Sequence, residues 1–280
     1  MAAVTTQLAP TNDTDANFRL WGKAISDQMA AGGWVKTTDT GQIDWATVLK
    51  PASPNVMQGY EIWRSNDASG SIVQMYLKIE YGSSTSNGTQ PAMHSTAGFG
   101  SNGTGTLTGT TTLRTQISVN ASSTSTRNCN LAAGLGWVVM TLFTNDANSC
   151  MVFSIERTLS SSFAEQNEIL FCYSGSGANI KSVVLNQTTG IYPVETSPNA
   201  QAIVNPTNAV QSGNAGFSLQ FGQRGGLTNP SRNLFGTGAA TLGAAQTIVL
   251  IESYGVSRSY IINALNPLFY SPQVIAGRFE

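Results

Sequence analysis

The chain has one histidine, His94, in 280 residues. That scarcity excludes several common chemistries at once. Zinc sites built on several histidines cannot form, and any Ser-His-Asp or Cys-His arrangement must use His94. His94 falls in residues 82–110, a run so rich in Gly, Ser, Thr and Asn that it reads as one long loop, where a base would be poorly held. Charge is scarce too: Asp, Glu, Lys and Arg make up 10% of the chain, against roughly 25% in ordinary soluble domains. There is no basic run and the net charge is −1, so the electrostatic footprint of a nucleic-acid binder is missing. A polybasic membrane anchor is missing as well. Cysteine is limited to Cys129, Cys150 and Cys172. An odd number with no CxxC spacing argues against a disulfide framework or a zinc site and predicts buried thiols. No apolar run reaches membrane-spanning length. The opening residues have neither a basic n-region nor an apolar h-region, which predicts no signal peptide and folding in a cytosol without membrane insertion.

What is present points to a folded β protein with a neutral surface. Hydrophobic residues make up 41% of the chain, and apolar runs recur to the C-terminus, so burial can offset chain entropy. Ser, Thr, Asn, Gln and 28 Gly stand where charge is usually found. A neutral hydroxyl and amide surface suits a protein held in a stable assembly or exposed outside a cell.

Near the N-terminus, Asn12, Asp13 and Thr14 are candidate N-caps. Residues 15–31 then carry Phe18, Trp21, Ile25 and Met29 on one helical stripe, and Gly32-Gly33 ends the helix. The stretch 33–51, GWVKTTDTGQIDWATVLKP, holds Trp34 and Trp45 on either side of a polar turn, Thr38-Asp39-Thr40-Gly41, with Gly41 at the bend. It reads as a small clasp that fixes how the helix meets the body behind it. Residues 58–64 and 72–81 form a predicted hairpin around the turn cluster 65–70. Met75, Leu77 and Ile79 alternate with Tyr76, Lys78 and Glu80, as in a half-buried strand.

Further strand signals lie at 113–119, 136–143, 150–157, 168–173, 181–185, 217–221 and 246–254, the second and third joined by Asn145-Asp146-Ala147-Asn148. Trp137-Val138-Val139-Met140 predicts a strand buried on both faces. Residues 193–216 and 237–243 read as loop-like excursions. Residues 266–280 read as an aromatic arm docked on a neighbour or back on its own domain. Many short strands with Gly/Asn turns and one helix predict a mainly β fold, with a sandwich- or jelly-roll-like body and an N-terminal amphipathic helix. The expected division is an adapter segment over 1–55 and a β body over 56–280.

Several of these stretches resemble a module of tailed-bacteriophage virion proteins. The residues that carry the resemblance are Phe18-Arg19-Leu20-Trp21-Gly22, Gly33-Trp34-Val35, Thr38-Asp39-Thr40-Gly41-Gln42-Ile43, Gly59-Tyr60-Glu61-Ile62-Trp63-Arg64 and Lys78-Ile79-Glu80-Tyr81-Gly82. The Gly/Thr-rich run 98–109 continues the likeness, which covers about the first 110 residues. It implies a place, the virion assembled in a bacterial cytoplasm, and brings no catalytic residues with it. The expectation is therefore a non-enzymatic structural component, a tail protein forming a homo-oligomer and contacting other virion proteins. The alternatives are a receptor- or glycan-binding tail fibre or tailspike module, whose partner is a host surface glycan, and a capsid decoration protein.

The residues themselves offer little chemistry. Glu61 and Glu80 lie on strands predicted to pair, and a glycosidase needs two carboxyls at a fixed separation. Arg64 and Lys78 lie beside them, so cross-strand ion pairing is the simpler reading. The Gly-rich runs lack the lysine and strand–helix context of a phosphate loop, and no calcium-loop pattern occurs. No catalytic residue, cofactor or metal is expected. The candidate site is an assembly interface, made by Phe18, Trp21, Ile25 and Met29 with Trp34 and Trp45, because a lone amphipathic helix needs a partner to bury its stripe. The β body and another subunit are the two candidate partners.

Overall fold

In the computed structural model, the backbone is described for residues 2–4, 14–67, 72–85, 88–118, 129–143, 150–159, 165–174, 180–187, 190–194, 209–211, 214–222, 228–237, 248–253, 256–264 and 274–278, and side chains for 14–187 within those limits except 143, 150, 159, 174 and 180–182. The chain is mainly β. Helix α1 spans Asp15–Ala31, as the stripe predicts. Thr14 is its N-cap, and the Thr14 hydroxyl accepts from the Asn17 N–H at 3.1 Å. Gly32 closes the helix by donating to Gln28 O, and Gly33, at φ 91°, turns the chain away. That left-handed position suits a residue without Cβ.

Three β structures follow. The first sheet has strand order β2-β3-β4-β5-β8, all antiparallel. Its strands are β2 (Val35–Lys36), β3 (Met57–Arg64), β4 (Tyr76–Ser83), β5 (Pro91–Gly98) and β8 (Thr115–Ser118). A small hairpin, β6 (Gly100–Ser101) with β7 (Leu107–Thr108), stands between β5 and β8 in sequence. The second sheet runs β1 (Ala2–Val4), β9 (Cys129–Gly134), β10 (Trp137–Phe143), β11 (Cys150–Leu159), β12 (Glu165–Ser174), β13 (Ile180–Asn186), β14 (Gly190–Val194), in that spatial order. The third is a closed barrel of β15 (Ala209–Gln211), β16 (Asn214–Gly222), β17 (Thr228–Thr237), β20 (Val274–Arg278), β19 (Val256–Ala264) and β18 (Ile248–Ser253).

Sheets one and two form a sandwich closed by the helix. Leu77, Ile79 and Tyr81 of β4 share one core with Val138, Met140 and Leu142 of β10, Phe153 and Ile155 of β11, and Phe171 of β12. The helix stripe joins it: Phe18, Trp21, Ile25 and Met29 are all 0% exposed. The opposite face of the second sheet is buried as well, at Val139, Val152, Leu170 and Val184 and at the polar Asn130, Thr141, Ser154, Glu156 and Thr158. There β10 and β11 lie beside β20 and β17 of the barrel. The run Trp137–Met140 is buried on both faces, as its unbroken apolar sequence predicts.

Two expectations are corrected, and for the tail the structure selects docking on its own chain. Residues 82–110 are not one loop: they supply β5, paired with β4 along its whole length, and the hairpin β6–β7. Small residues on β5 hid it, since Ala92, Ser95, Ala97 and Gly98 lack the branched pattern of a strand but fit beneath close neighbours. Residue 55 is not a boundary, because β2 pairs with β3 across it at Val35–Arg64 and Lys36–Trp63. The tail is in part a strand, β20 inside the barrel. The remainder of the proposed arm, and most of 193–216 and 237–243, lie outside the described residues.

Candidate functional site

The stripe proposed as an assembly interface is instead part of the chain's own core. Trp21 packs edge-on to Tyr81 of β4, with ring centroids 6.1 Å apart and planes at 86°. Trp34 is 2% exposed and donates to Gly134 O at 2.8 Å, tying the start of the clasp to the second sheet. Trp45 packs on Tyr81 at 4.7 Å and on Phe18 at 6.1 Å. Its ring lies over Gly22, where an added Cβ would stand 1.8 Å from Trp45 Cη2. Glycine inside a helix costs about 0.5–1 kcal/mol relative to alanine; here it makes room for an indole. The six named residues therefore lie in or against the chain's own hydrophobic core.

Beside that core, helix, clasp and first sheet meet at Glu61. Residues on β3 alternate between faces, and Glu61 faces the helix with Trp63. Its carboxylate is 0% exposed. Oε1 accepts from Ser26 Oγ at 2.8 Å, Lys36 Nζ at 2.8 Å and Trp45 Nε1 at 3.1 Å. Oε2 accepts from Tyr81 OH at 3.0 Å and Trp63 Nε1 at 3.3 Å. The donors come from α1, β2, the clasp, β4 and β3 itself. Burial, followed by the Glu61 charge and hydrogen bond, pushes the Tyr81 phenol well above its ordinary range. A carboxylate offers about four lone-pair directions; here all are taken, so Glu61 has no free oxygen to present to a substrate. Sequence reasoning marked Glu61 as half of a surface ion pair and missed Ser26 and Lys36. A usable signal was an acid two residues from Trp63 on a strand whose other inward residues are apolar.

Glu80 does not complete a catalytic pair. In the β3–β4 register Glu61 lies opposite Ile79, and Glu80 opposite Tyr60, so the two carboxylates project to opposite faces. Glu80 is ion-paired, but not across the hairpin as expected: Lys78, on the same strand, lies at 3.6 Å and Arg114 at 2.7 Å. For Glu61 the cation is Lys36, not Arg64.

A second carboxylate organises the clasp turn. Gly41 sits at the bend with φ 80°. Asp39, 8% exposed, accepts from Thr37 Oγ1 at 2.6 Å, from the Gly105 N–H at 2.9 Å and from the Ser101 hydroxyl. The Thr40 N–H donates to Gly103 O at 2.9 Å. Burial alone would raise the Asp39 carboxyl; the hydrogen bonds from Ser101, Thr37 and Gly105 outweigh it and lower its pKa. The tip of β6–β7 is thus clipped onto the clasp.

His94 is a strand residue, 3% exposed, with Nε2 unpaired. Burial, then the Arg114 charge, lowers its pKa to about 4 against the pull of Glu80 and the Ser83 carbonyl. It is neutral at physiological pH. Cys129 and Cys172 are buried thiols, as expected, and burial pushes Cys129 up to about 12. The Cys150 side chain lies outside the described residues. Among those residues no group of three or more His, Cys, Asp or Glu could hold a metal, and no helix is long and apolar enough to cross a membrane.

No protein-family model matches the chain, and neither the curated proteins nor the solved structures contain a match.

Proposed function

We propose that this chain is a non-enzymatic structural component of a bacteriophage virion, a tail protein that works as a homo-oligomer among other virion proteins. The observation that carries the reading is where the phage-like residues lie. Trp21, Gly22, Asp39, Gly41, Glu61, Trp63 and Tyr81 are scattered over sixty positions of sequence, yet they cluster around Glu61 and the clasp turn. The stretches on which the resemblance rests thus form one physical module. The 10% charge content supports the same reading, since a neutral surface suits permanent contact with neighbours.

In this reading the intersubunit contact falls to outward side chains. Leu20 at 61%, Leu49 at 60% and Leu113 at 79% exposure are candidates. The test is mass spectrometry of purified particles together with light scattering of the isolated protein. The expected result is a stoichiometric virion protein that is oligomeric in solution. Absence from particles, or a strictly monomeric protein that never enters them, refutes it.

A further inference from the structure

The hairpin clipped to the clasp carries an Asn-Gly pair in an unusual setting. Asn102 and Gly103 are exposed at the tip between β6 and β7. Gly103 has φ +81°, and nothing lies within 4 Å of the place a Cβ would occupy. The Asn102 side-chain oxygen accepts two backbone N–H groups, Thr104 at 2.9 Å and Thr106 at 3.1 Å. The Gly103 N–H donates to Ser101 Oγ at 3.3 Å, and the Ser101 hydroxyl in turn donates to Asp39 Oδ1.

We propose that this turn deamidates itself, with Gly103 N as nucleophile, Asn102 Cγ as electrophile, and the Ser101–Asp39 chain as the route for the proton. The Gly103 nitrogen attacks Asn102 Cγ as its proton passes to Ser101 Oγ and the serine proton passes to the Asp39 carboxylate. Negative charge develops on Asn102 Oδ1, where the Thr104 and Thr106 amides already point, as donors do in an oxyanion hole. The C–N bond of the side-chain amide breaks, and ammonia leaves with the relayed proton. Water then opens the five-membered imide at either carbonyl, giving aspartate or isoaspartate at position 102. No oxidant or metal is needed. Ser101 touches the nucleophile; Asp39 acts through it as a positioning residue.

The product matters because of what the hairpin holds. Isoaspartate adds one carbon to the main chain beside Gly103, whose carbonyl holds Thr40, and three residues from Gly105, whose N–H holds Asp39. Either product also places a new carboxylate close to Asp39. The modification therefore loosens the clip between hairpin and clasp.

The experiment is peptide mapping of the full chain incubated at neutral pH, folded and in urea, with isoaspartate quantified at each Asn-Gly. The folded chain is expected to convert residue 102 at least about tenfold faster than the unfolded chain, within the roughly hundredfold or more that one well-placed donor supplies. The folded rate should be flat across neutral pH, because an ionised Asp39 takes the proton, whereas the unfolded rate should rise in proportion to hydroxide. Ser101→Ala, checked by circular dichroism to be folded, should lose both the acceleration and the flat profile. Slower conversion of residue 102 in the folded chain than in urea overturns the proposal, and does so without any variant. A Ser101→Ala rate and pH profile equal to wild type also overturns it.

Discussion

Replacing Glu61 by glutamine keeps the side-chain shape and removes the charge, so it isolates what the carboxylate does. One of its oxygens becomes an NH2 group. If the NH2 takes the Oε1 place, Ser26, Lys36 and Trp45 face a donor; if it takes the Oε2 place, Trp63 and Tyr81 do. The Ser26 and Tyr81 hydroxyls can rotate to accept, but the indole N–H groups and the ammonium cannot. Each buried donor left without an acceptor costs about 1–3 kcal/mol. Lys36, whose side chain is 35% exposed, can turn partly to water. The expected loss for Glu61→Gln is therefore about 3–5 kcal/mol, the span for breaking one side of a buried ion pair. Lys36→Met should cost less, about 1.5–3 kcal/mol, since it removes one charge-assisted bond and leaves four donors on Glu61. Urea unfolding monitored by tryptophan fluorescence measures both, provided the m-value is unchanged. The double variant should cost less than the sum of the singles, because both changes break the same pair. A Glu61→Gln loss under about 1 kcal/mol refutes the claim that this carboxylate organises the fold.

Gly22→Ala should destabilise by about 1–3 kcal/mol through overpacking against Trp45, although alanine favours helix; calorimetry showing a gain means the indole moves freely aside. Trp21→Ala should cost about 3–5 kcal/mol of chain stability in urea titration, since its ring is 0% exposed in the chain's own core. A folded Trp21→Ala protein of unchanged stability that fails only to assemble contradicts that placement. For pH, the folded His94 pKa, about 4, lies below its usual 6.5. Between those values the unfolded chain binds a proton that the folded chain does not, so stability falls as pH drops from about 6.5 towards 4. The loss is on the order of 2 kcal/mol, discounted for residual solvent screening. His94→Gln should flatten the unfolding free energy over that window, and an unchanged slope refutes the assignment.

The parts of the fold legible in sequence were those where period and burial agree. The helix stripe, the strand alternation around Leu77 and Ile79, the Gly41 bend and the doubly buried Trp137–Met140 run each appear where their patterns place them. Strand β5 was not legible, because small residues chosen for fit carry no hydrophobic period. Strand β17 carries Pro230 and Asn233 and has a weak pattern of its own; its pairing with β16 and β20 makes it a strand. The Glu61 centre was hidden for a different reason. Its donors come from positions 26, 36, 45, 63 and 81, and the relation among them exists only once α1 and β2–β4 are packed.

A buried charge with donors from several elements also restricts which alternative folds survive. Side-chain direction in a strand has a period of two, so slipping β3 by one residue turns Glu61 to the outer face and brings Tyr60 or Ile62 inward. An apolar centre would lose only part of its packing in such a slip. Here the slip would leave Ser26, Trp45 and Tyr81 without their acceptor, turn Trp63 outward with Glu61, and take the partner from Lys36. Partial docking of the helix fails in the same way, because Ser26 and the Gly22–Trp45 contact form together with the clasp. The stripe on α1 supplies most of the apolar burial, and Glu61 supplies the requirement that helix, clasp and first sheet meet in one register. Buried polar groups are documented as register-fixing devices in other folds. In this chain that role adds a polar requirement, met through the clasp, to the continuous apolar core that joins the N-terminal helix to the body.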